Sequence, residues 1–429
     1  DQSQKIKNID IFLELRSFVT QNIKIKKIRI NSQENEIKNL LKFIRTYKIN
    51  IPALYLENSI NKGDIIYNII INFEDNNIKQ TEINGKIIEA KFNVFSKEII
   101  NNISFDFNYT NEKLEILNLN FNYKKISFLS EKIFINKKNN LTNIKGSILN
   151  KVNTNLISNF FNYDLEKYFD KKILVSSKSD FNIILNNKLK IKKYDLSCEL
   201  NLNDVQFNLK NTNLRNYISN FEDKIIFKDG LLKFKINNKN ISNINLASKY
   251  ILDKNQIPKD IYLSISKEKS KEIYNLKIDL MQQIVKLDDV DFIKKTNEGM
   301  MLNLNVIKIK NNFEIEDFKM FNNKNIFILN NLKLNKNFKV EDFKFIKAKF
   351  NNSYNFLNNF KITKINNNIE LSSTSFDISK NIERSLKSFQ KSNFFDIFQN
   401  LNSSIKMDIA LVRIDKDHNL INVSGKTTI

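Results

Sequence analysis

From Tyr194 to Leu202 the chain reads YDLSCELNL, with Tyr194, Leu196, Cys198, Leu200 and Leu202 on one parity and Asp195, Ser197, Glu199 and Asn201 on the other. Successive side chains of an extended chain point to opposite faces, so this segment has one dry face and one wet face. The alternation recurs along the sequence. Ile103, Phe105, Phe107 and Tyr109 share a parity, as do Leu117, Leu119, Phe121 and Tyr123, then Leu232, Phe234 and Ile236, then Tyr274, Leu276, Ile278 and Leu280. Shorter pieces follow at Leu302, Leu304 and Val306, at Phe313 and Ile315, at Leu332 and Leu334, and at Phe343 and Phe345. Period-two patterning repeated this often predicts a mainly β protein. No long helical crossover separates the strands, which predicts antiparallel pairing of sequence neighbours.

Three stretches break the alternation. Ile37, Leu40, Leu41 and Ile44 have helical spacing, as do Leu156, Ile157, Phe160, Phe161, Leu165 and Phe169. The third stretch, about 381–402, places Ile382, Leu386 and Phe389, and then Phe394, Phe398 and Leu401, at three- and four-residue steps. Each predicts a short amphipathic helix packed on an end or open side of the sheet. The chain then divides into a β-rich segment with one helix (1–150), a central antiparallel segment (151–380), and a helix with a C-terminal hairpin (381–429).

Composition changes the picture at the turns. Glycine occurs 6 times and proline twice, against roughly 30 and 20 at average usage. Asparagine pairs such as Asn76-Asn77, Asn139-Asn140, Asn237-Asn238 and Asn322-Asn323 stand between the strands instead. Asparagine tolerates the left-handed backbone better than other residues with a Cβ. The formal charge of +22 favours anionic partners in general. The excess is spread out, and its densest group, Lys24, Lys26, Lys27 and Arg29, alternates with isoleucines as the wet face of one strand would.

Most site chemistry has no residues to build it. Cys198 is the only cysteine and His418 the only histidine, so an internal disulfide, a cysteine-rich zinc site and a multi-histidine metal site are excluded. The six glycines stand alone, and phosphate-cradling loops need several close together. Adjacent acids at Glu74-Asp75, at Asp288-Asp289 with Asp291, and at Glu341-Asp342 sit among Asn and Lys and read as solvated turns. His418, in IDKDHNLINVSG, reads as a turn between strands. Aromatic residues follow strand parity with no nucleic-acid-binding motif. The expectation is therefore no catalytic residue, no metal and no cofactor, with a basic nucleic-acid-binding module a distant third reading.

What remains is the dry face. In a β-sandwich two such faces fill each other, whereas in a long curled sheet one face can line an open apolar groove. Alternation does not separate the two. Phe, Ile and Leu dominate the dry face and small residues are scarce there, which points toward the groove. In that case the lining includes Leu117, Leu119, Phe121, Tyr123, Tyr194, Leu196, Cys198, Leu200, Leu202, Tyr274, Leu276, Ile278 and Leu280. The rival is a structural or adhesive all-β protein with a filled core.

Two regions carry a family resemblance. The helical run FDISKNIERSLKSFQKSNFFDIFQNLN, the strand IKMDIALVRI, a short turn and the strand LINVSGKTTI resemble the AsmA-like proteins of the Gram-negative envelope, the relatives of YhdP and TamB. TNLISNFFNYDLEKYFDKKILVSSKSDFNIIL, then YDLSCELNLNDVQFNLKN and IIFKDGLLKFKINNKNISNINL, are similar to the helix and successive hairpins of that family. The likeness covers about half the chain. It implies a long curled antiparallel sheet, groove- or taco-like, with a few short amphipathic helices, in a bridge-like periplasmic protein that transfers phospholipid passively between inner and outer membrane, with envelope proteins as further partners. Because the chain begins at Asp1 and has no apolar run near the roughly 18 residues of a span, an inner-membrane anchor is expected outside it.

Overall fold

The structure is a computed structural model that describes residues 4–14, 23–47, 51–74, 77–94, 98–153, 174–188, 190–209, 213–238, 242–253, 255–268, 270–337, 339–387, 401 and 403–428. The protein is mainly β, as the alternation predicts: among the described residues, 25 strands belong to one mixed sheet, with few helices. No described helix is long and apolar enough to cross a membrane. The chain forms two compact units. The first takes in residues 1–166, 171–200 and 236–238, and the second 167–170, 201–235 and 239–429.

In the first unit, sequence neighbours from Ile60–Glu74 through Asn77–Val94, Glu98–Thr110, Lys113–Tyr123, Ile126–Lys138, Leu141–Asn153 and Leu174–Asn186 pair antiparallel in succession. Ile25–Ser32 pairs with Ile6–Leu13 on one side and with Ile60–Glu74 on the other. Several turns are tight and glycine-free. Asn139 and Asn140 take φ of 49° and 61°, the paired left-handed geometry whose twist matches a hairpin, and Asn111-Glu112 and Lys124-Lys125 do the same. Helix α1 (Ile37–Tyr47) forms where its apolar spacing predicts. It buries Ile37 against Ile65, Tyr67 and Ala90, with Leu40 and Leu41 alongside, and caps one end of the dry face. Helix α2 (Ile51–Ser59) follows without an amphipathic signature; Arg45 of α1 holds it through Glu57 at 3.2 Å.

The second unit is likewise antiparallel from Ser242–Ile251 to Asn368–Asp377. Its C-terminal strands corrects the sequence expectation in one respect. Asn368–Asp377 and Ser404–Arg413 pair in parallel, because helix α3 (Ser379–Lys387) opens a crossover between them. The expected hairpin follows, with Ser404–Arg413 antiparallel to Asn419–Thr428. His418 sits in its exposed turn, where the Asp415 carboxylate accepts from the amides of Asp417 and His418. The helical pattern at Leu156–Phe169 lies outside the described residues, as does the later part of the 381–402 pattern.

Among the described residues, twenty buried side chains of this unit form one core. Four of them, Leu280, Val285, Phe292 and Met300, come from the segment between Asp279 and Met301, which leaves the sheet, forms the hairpin Val285–Leu287 and Phe292–Lys294, and returns. Phe292, 1% exposed, meets Phe327 edge-on at 4.8 Å and Phe350 at 5.6 Å. Asp291 is not the solvated turn expected from its acidic neighbours. It is buried, accepting from the Ser353 hydroxyl and the Lys380 ammonium, and so ties this segment to α3.

Candidate functional site

Cross-strand register turns the scattered apolar positions into rows. In the first unit one row runs Ile9, Ile30, Ile69, Ile83, Tyr109, Leu114, Ile135, Ile144, Ile183, each opposite the next on nine successive strands. At the usual strand spacing it spans about 38 Å. None of the nine side chains is buried; Ile9 is 56% and Tyr109 38% exposed, and the others are half-buried. Beside it runs Tyr67, Gly85, Phe107, Ile116, Ile133, Gly146, Phe181. Here Tyr67 lies under α1 and Ile133 is buried, while Phe107, Ile116 and Phe181 are half-buried.

The sequence-predicted positions fall unevenly on this surface. Phe121 stacks on Phe128 at 4.9 Å, and Tyr123 stands opposite Ile126. Leu119 stands opposite Ser130, so apolar contact thins out in this direction. The next cross-strand pair beyond Phe128 is polar, with the Ser177 hydroxyl donating to Asn150 at 2.5 Å. Leu117 does not share their surroundings. Asn118 takes a left-handed φ of 54° and the register with Glu98–Thr110 shifts there, leaving Leu117 opposite Asp106 and Lys132. On Ile191–Leu202, Tyr194 and Leu200 are half-buried, Leu196 is exposed and Cys198 is buried. Burial pushes the Cys198 thiol above its usual pKa, and the Ser179 hydroxyl donates to its sulfur at 3.3 Å, which makes it a small core group.

In the second unit Leu202 is buried at Gly230. Leu276 lies in a row of leucines, Leu246, Leu263, Leu276, Leu304, that continues through Phe318 and Leu329. Tyr274 lies in the next row, Ile244, Ile265, Tyr274, Val306, Ile315. These side chains are half-buried apart from the buried Leu246; Leu276 packs on a small core of Phe221, Tyr250, Leu252 and Ile261, and Ile315, Phe318 and Leu329 pack on the larger core, which leaves Ile244, Ile265, Tyr274 and Val306 as the open stretch. Ile278 packs on the filled core and Leu280, 4% exposed, is part of it. The surface therefore passes from open at Tyr274 to closed at Leu280, the residue that follows the strand Lys271–Asp279.

The open end has a polar border. On the parity of Tyr274 and one step beyond it, Lys267, Glu272 and Lys308 stand opposite one another. The Tyr274 hydroxyl donates to Glu272 Oε2 at 2.6 Å; Lys267 reaches Oε1 at 3.2 Å and Lys308 reaches Oε2 at 3.4 Å. The tyrosine hydrogen bond first, and then the lysines, hold the Glu272 carboxyl down to about 2, and the same bond raises Tyr274 to about 12.

Phe107, Ile135, Ile144 and Phe181 in the first unit, and Leu263 and Leu304 in the second, belong to these rows as much as the positions singled out from sequence. Several lie on alternating strands of the sequence, but which strand residue faces which is set by turns and bulges that parity does not reveal. No family model, curated protein or solved structure matches the chain.

Proposed function

We propose that this protein is a lipid-transfer protein whose half-exposed apolar rows carry acyl chains. The single observation behind this is the nine-strand row from Ile9 to Ile183, none of whose side chains is buried. A β-sheet with a filled core would hide such a row, and soluble proteins seldom leave a long contiguous apolar strip facing water. Each CH₂ of an acyl chain laid on it gains about 0.8 kcal/mol. The row repeats similar side chains at strand spacing, so a chain shifted by one strand meets nearly equivalent contacts and can slide. The mechanism is passive, with no catalytic residue. The resemblance to the AsmA-like family supports the same reading and adds phospholipid as cargo, with a place in the periplasm between inner and outer membrane.

The filled core around Phe292, Phe327 and Phe350 favours a structural role for the C-terminal strands, so transport is assigned to the first unit and to the open rows around Tyr274. Mass spectrometry of lipids extracted from the chain purified from a Gram-negative host tests the proposal. Stoichiometric phospholipid surviving gel filtration, and lost in Ile135→Asp/Ile144→Asp, is the expected result. A folded wild-type protein free of lipid, and unable to take any up from vesicles, overturns it.

A further inference from the structure

We infer that Lys267 and Lys308 form a headgroup site selective for a lipid bearing one net negative charge. This deepens the lipid-transfer reading and rests on it. The site lies where polar chemistry meets apolar surface: Lys267, Glu272 and Lys308 border the row of Ile265, Tyr274 and Val306, and the leucine row lies one step further in. An acyl chain on those rows therefore brings its headgroup to this border.

The charges decide what kind of headgroup is held. Two ammonium groups face one carboxylate, which leaves the cluster one net positive charge. Glu272 is already engaged by Tyr274, Lys267 and Lys308, so three of its roughly four acceptor positions are taken. A headgroup ammonium would find little acceptor capacity and two like charges. Each lysine has three N–H donors and gives one to Glu272, so what the cluster offers inward is donors. Phosphate oxygens are the matching acceptors, and charge-assisted bonds to them are the strong kind. Glu272 acts as a positioning residue, holding both ammonium groups beside the apolar rows. Phe313, opposite Lys308 with its ring centroid 6.0 Å from the ammonium, closes the far side. An uncharged diacylglycerol would gain the rows and none of these bonds, and a zwitterionic headgroup would gain the phosphate contacts while placing its ammonium beside the lysines.

The test uses the full chain and three vesicle preparations with identical oleoyl chains, containing phosphatidylglycerol, phosphatidylethanolamine or dioleoylglycerol. The lipid carried by the protein is measured after the vesicles are removed. Phosphatidylglycerol should exceed both others by about fivefold at low salt, the scale of one exposed charge pair. The excess should vanish in Lys267→Gln/Lys308→Gln and shrink as salt rises in the wild type. Equal uptake of all three lipids overturns the headgroup site while leaving the apolar rows standing. Uptake of none overturns the transfer reading itself and this site with it. The salt titration of wild type judges the site even if the double variant misfolds.

Discussion

The ring of Phe181 lies across Gly146 on the neighbouring strand, so that a Cβ at position 146 would stand 3.1 Å from Phe181 Cζ and 2.9 Å from Ile133 Cγ1. Gly85 stands in the same row beneath Phe107. In both places an aromatic side chain covers the gap that a glycine leaves in a strand, which restores contact the bare backbone lacks. The two positions differ in what would have to move. At Gly146 the nearest atom belongs to a side chain, whereas at Gly85 it is the Ile66 carbonyl oxygen. Gly146→Ala is expected to cost about 1 kcal/mol and Gly85→Ala about 2–3 kcal/mol, the range of overpacked sites. Urea unfolding of the two variants measures the difference, and a Gly85→Ala protein no less stable than Gly146→Ala contradicts the packing described.

A charge placed on the dry face should discriminate open from closed surface. Ile135 lies half-buried in the nine-strand row, while Leu371 is 4% exposed within the C-terminal core. Asp at 135 can keep its carboxylate in water, and Ile135→Asp should cost no more than about 1–2 kcal/mol while reducing lipid uptake. Leu371→Asp buries an unpaired charge and should cost at least about 4 kcal/mol or abolish folding. Thermal melts followed by circular dichroism decide, and equal destabilisation by the two would mean that the row around Ile135 is covered.

The alternation made the fold class legible because it reports the environment of each strand residue directly. Asn139-Asn140 was legible as a turn for a local reason, the tolerance of asparagine for positive φ. What parity could not carry was anything that breaks it. Asn118 takes the same left-handed backbone inside a strand, and nothing in LNLNFNY distinguishes it from the turn asparagines, so parity alone places Leu117 with Leu119. Helix α2 lacks an apolar stripe, so its sequence carried no period to detect. Leu280 reads as the last apolar position of a strand face, yet its burial is decided by the segment that folds back after it. The polar border was hidden for another reason: Lys267 and Lys308 are 41 residues apart, and only register brings both to Glu272.

That border also predicts a pH dependence. Glu272 titrates below its usual 4.5, at about 2, so its folded form prefers to be ionised. The stabilisation is complete above pH 4.5 and is lost as pH falls toward 2. Tyr274 titrates above its usual 10, at about 12, so its folded form prefers the proton, and stability is lost as pH rises from 10 to 12. Tyr274→Phe should therefore weaken both limbs, because one hydrogen bond underlies both shifts. Denaturant midpoints measured across pH 2–5 and 9–12 for wild type and variant test this, and an unchanged acid limb in the variant would show that the lysines alone hold Glu272.

Lys294 makes the last prediction. Its side chain is fully buried, with the ammonium donating to the carbonyls of Met281 at 3.2 Å, Gln283 at 2.6 Å and Lys295 at 2.8 Å. These three carbonyls belong to the segment that leaves the sheet to fill the core, so one cation satisfies its turns. Burial lowers the lysine from 10.5 to about 8, with Glu298 and Asp279 partly opposing. The unfolded chain thus holds this proton more tightly than the folded one. Below pH 8 the charged form carries its full desolvation penalty, and the contribution of Lys294 to stability should rise between pH 8 and 10.5. Lys294→Met fits the volume but takes a donor from three carbonyls, of which only that of Met281 is seen to keep another, the Asn297 amide at 2.9 Å, with an expected loss of about 2–4 kcal/mol at pH 7. Its stability relative to wild type should fall further as pH rises through that window, because only the wild type gains there. A variant as stable as wild type at both pH values would mean that water or backbone movement satisfies those carbonyls, and that the segment is held by its buried apolar side chains Leu280, Val285, Phe292 and Met300 alone.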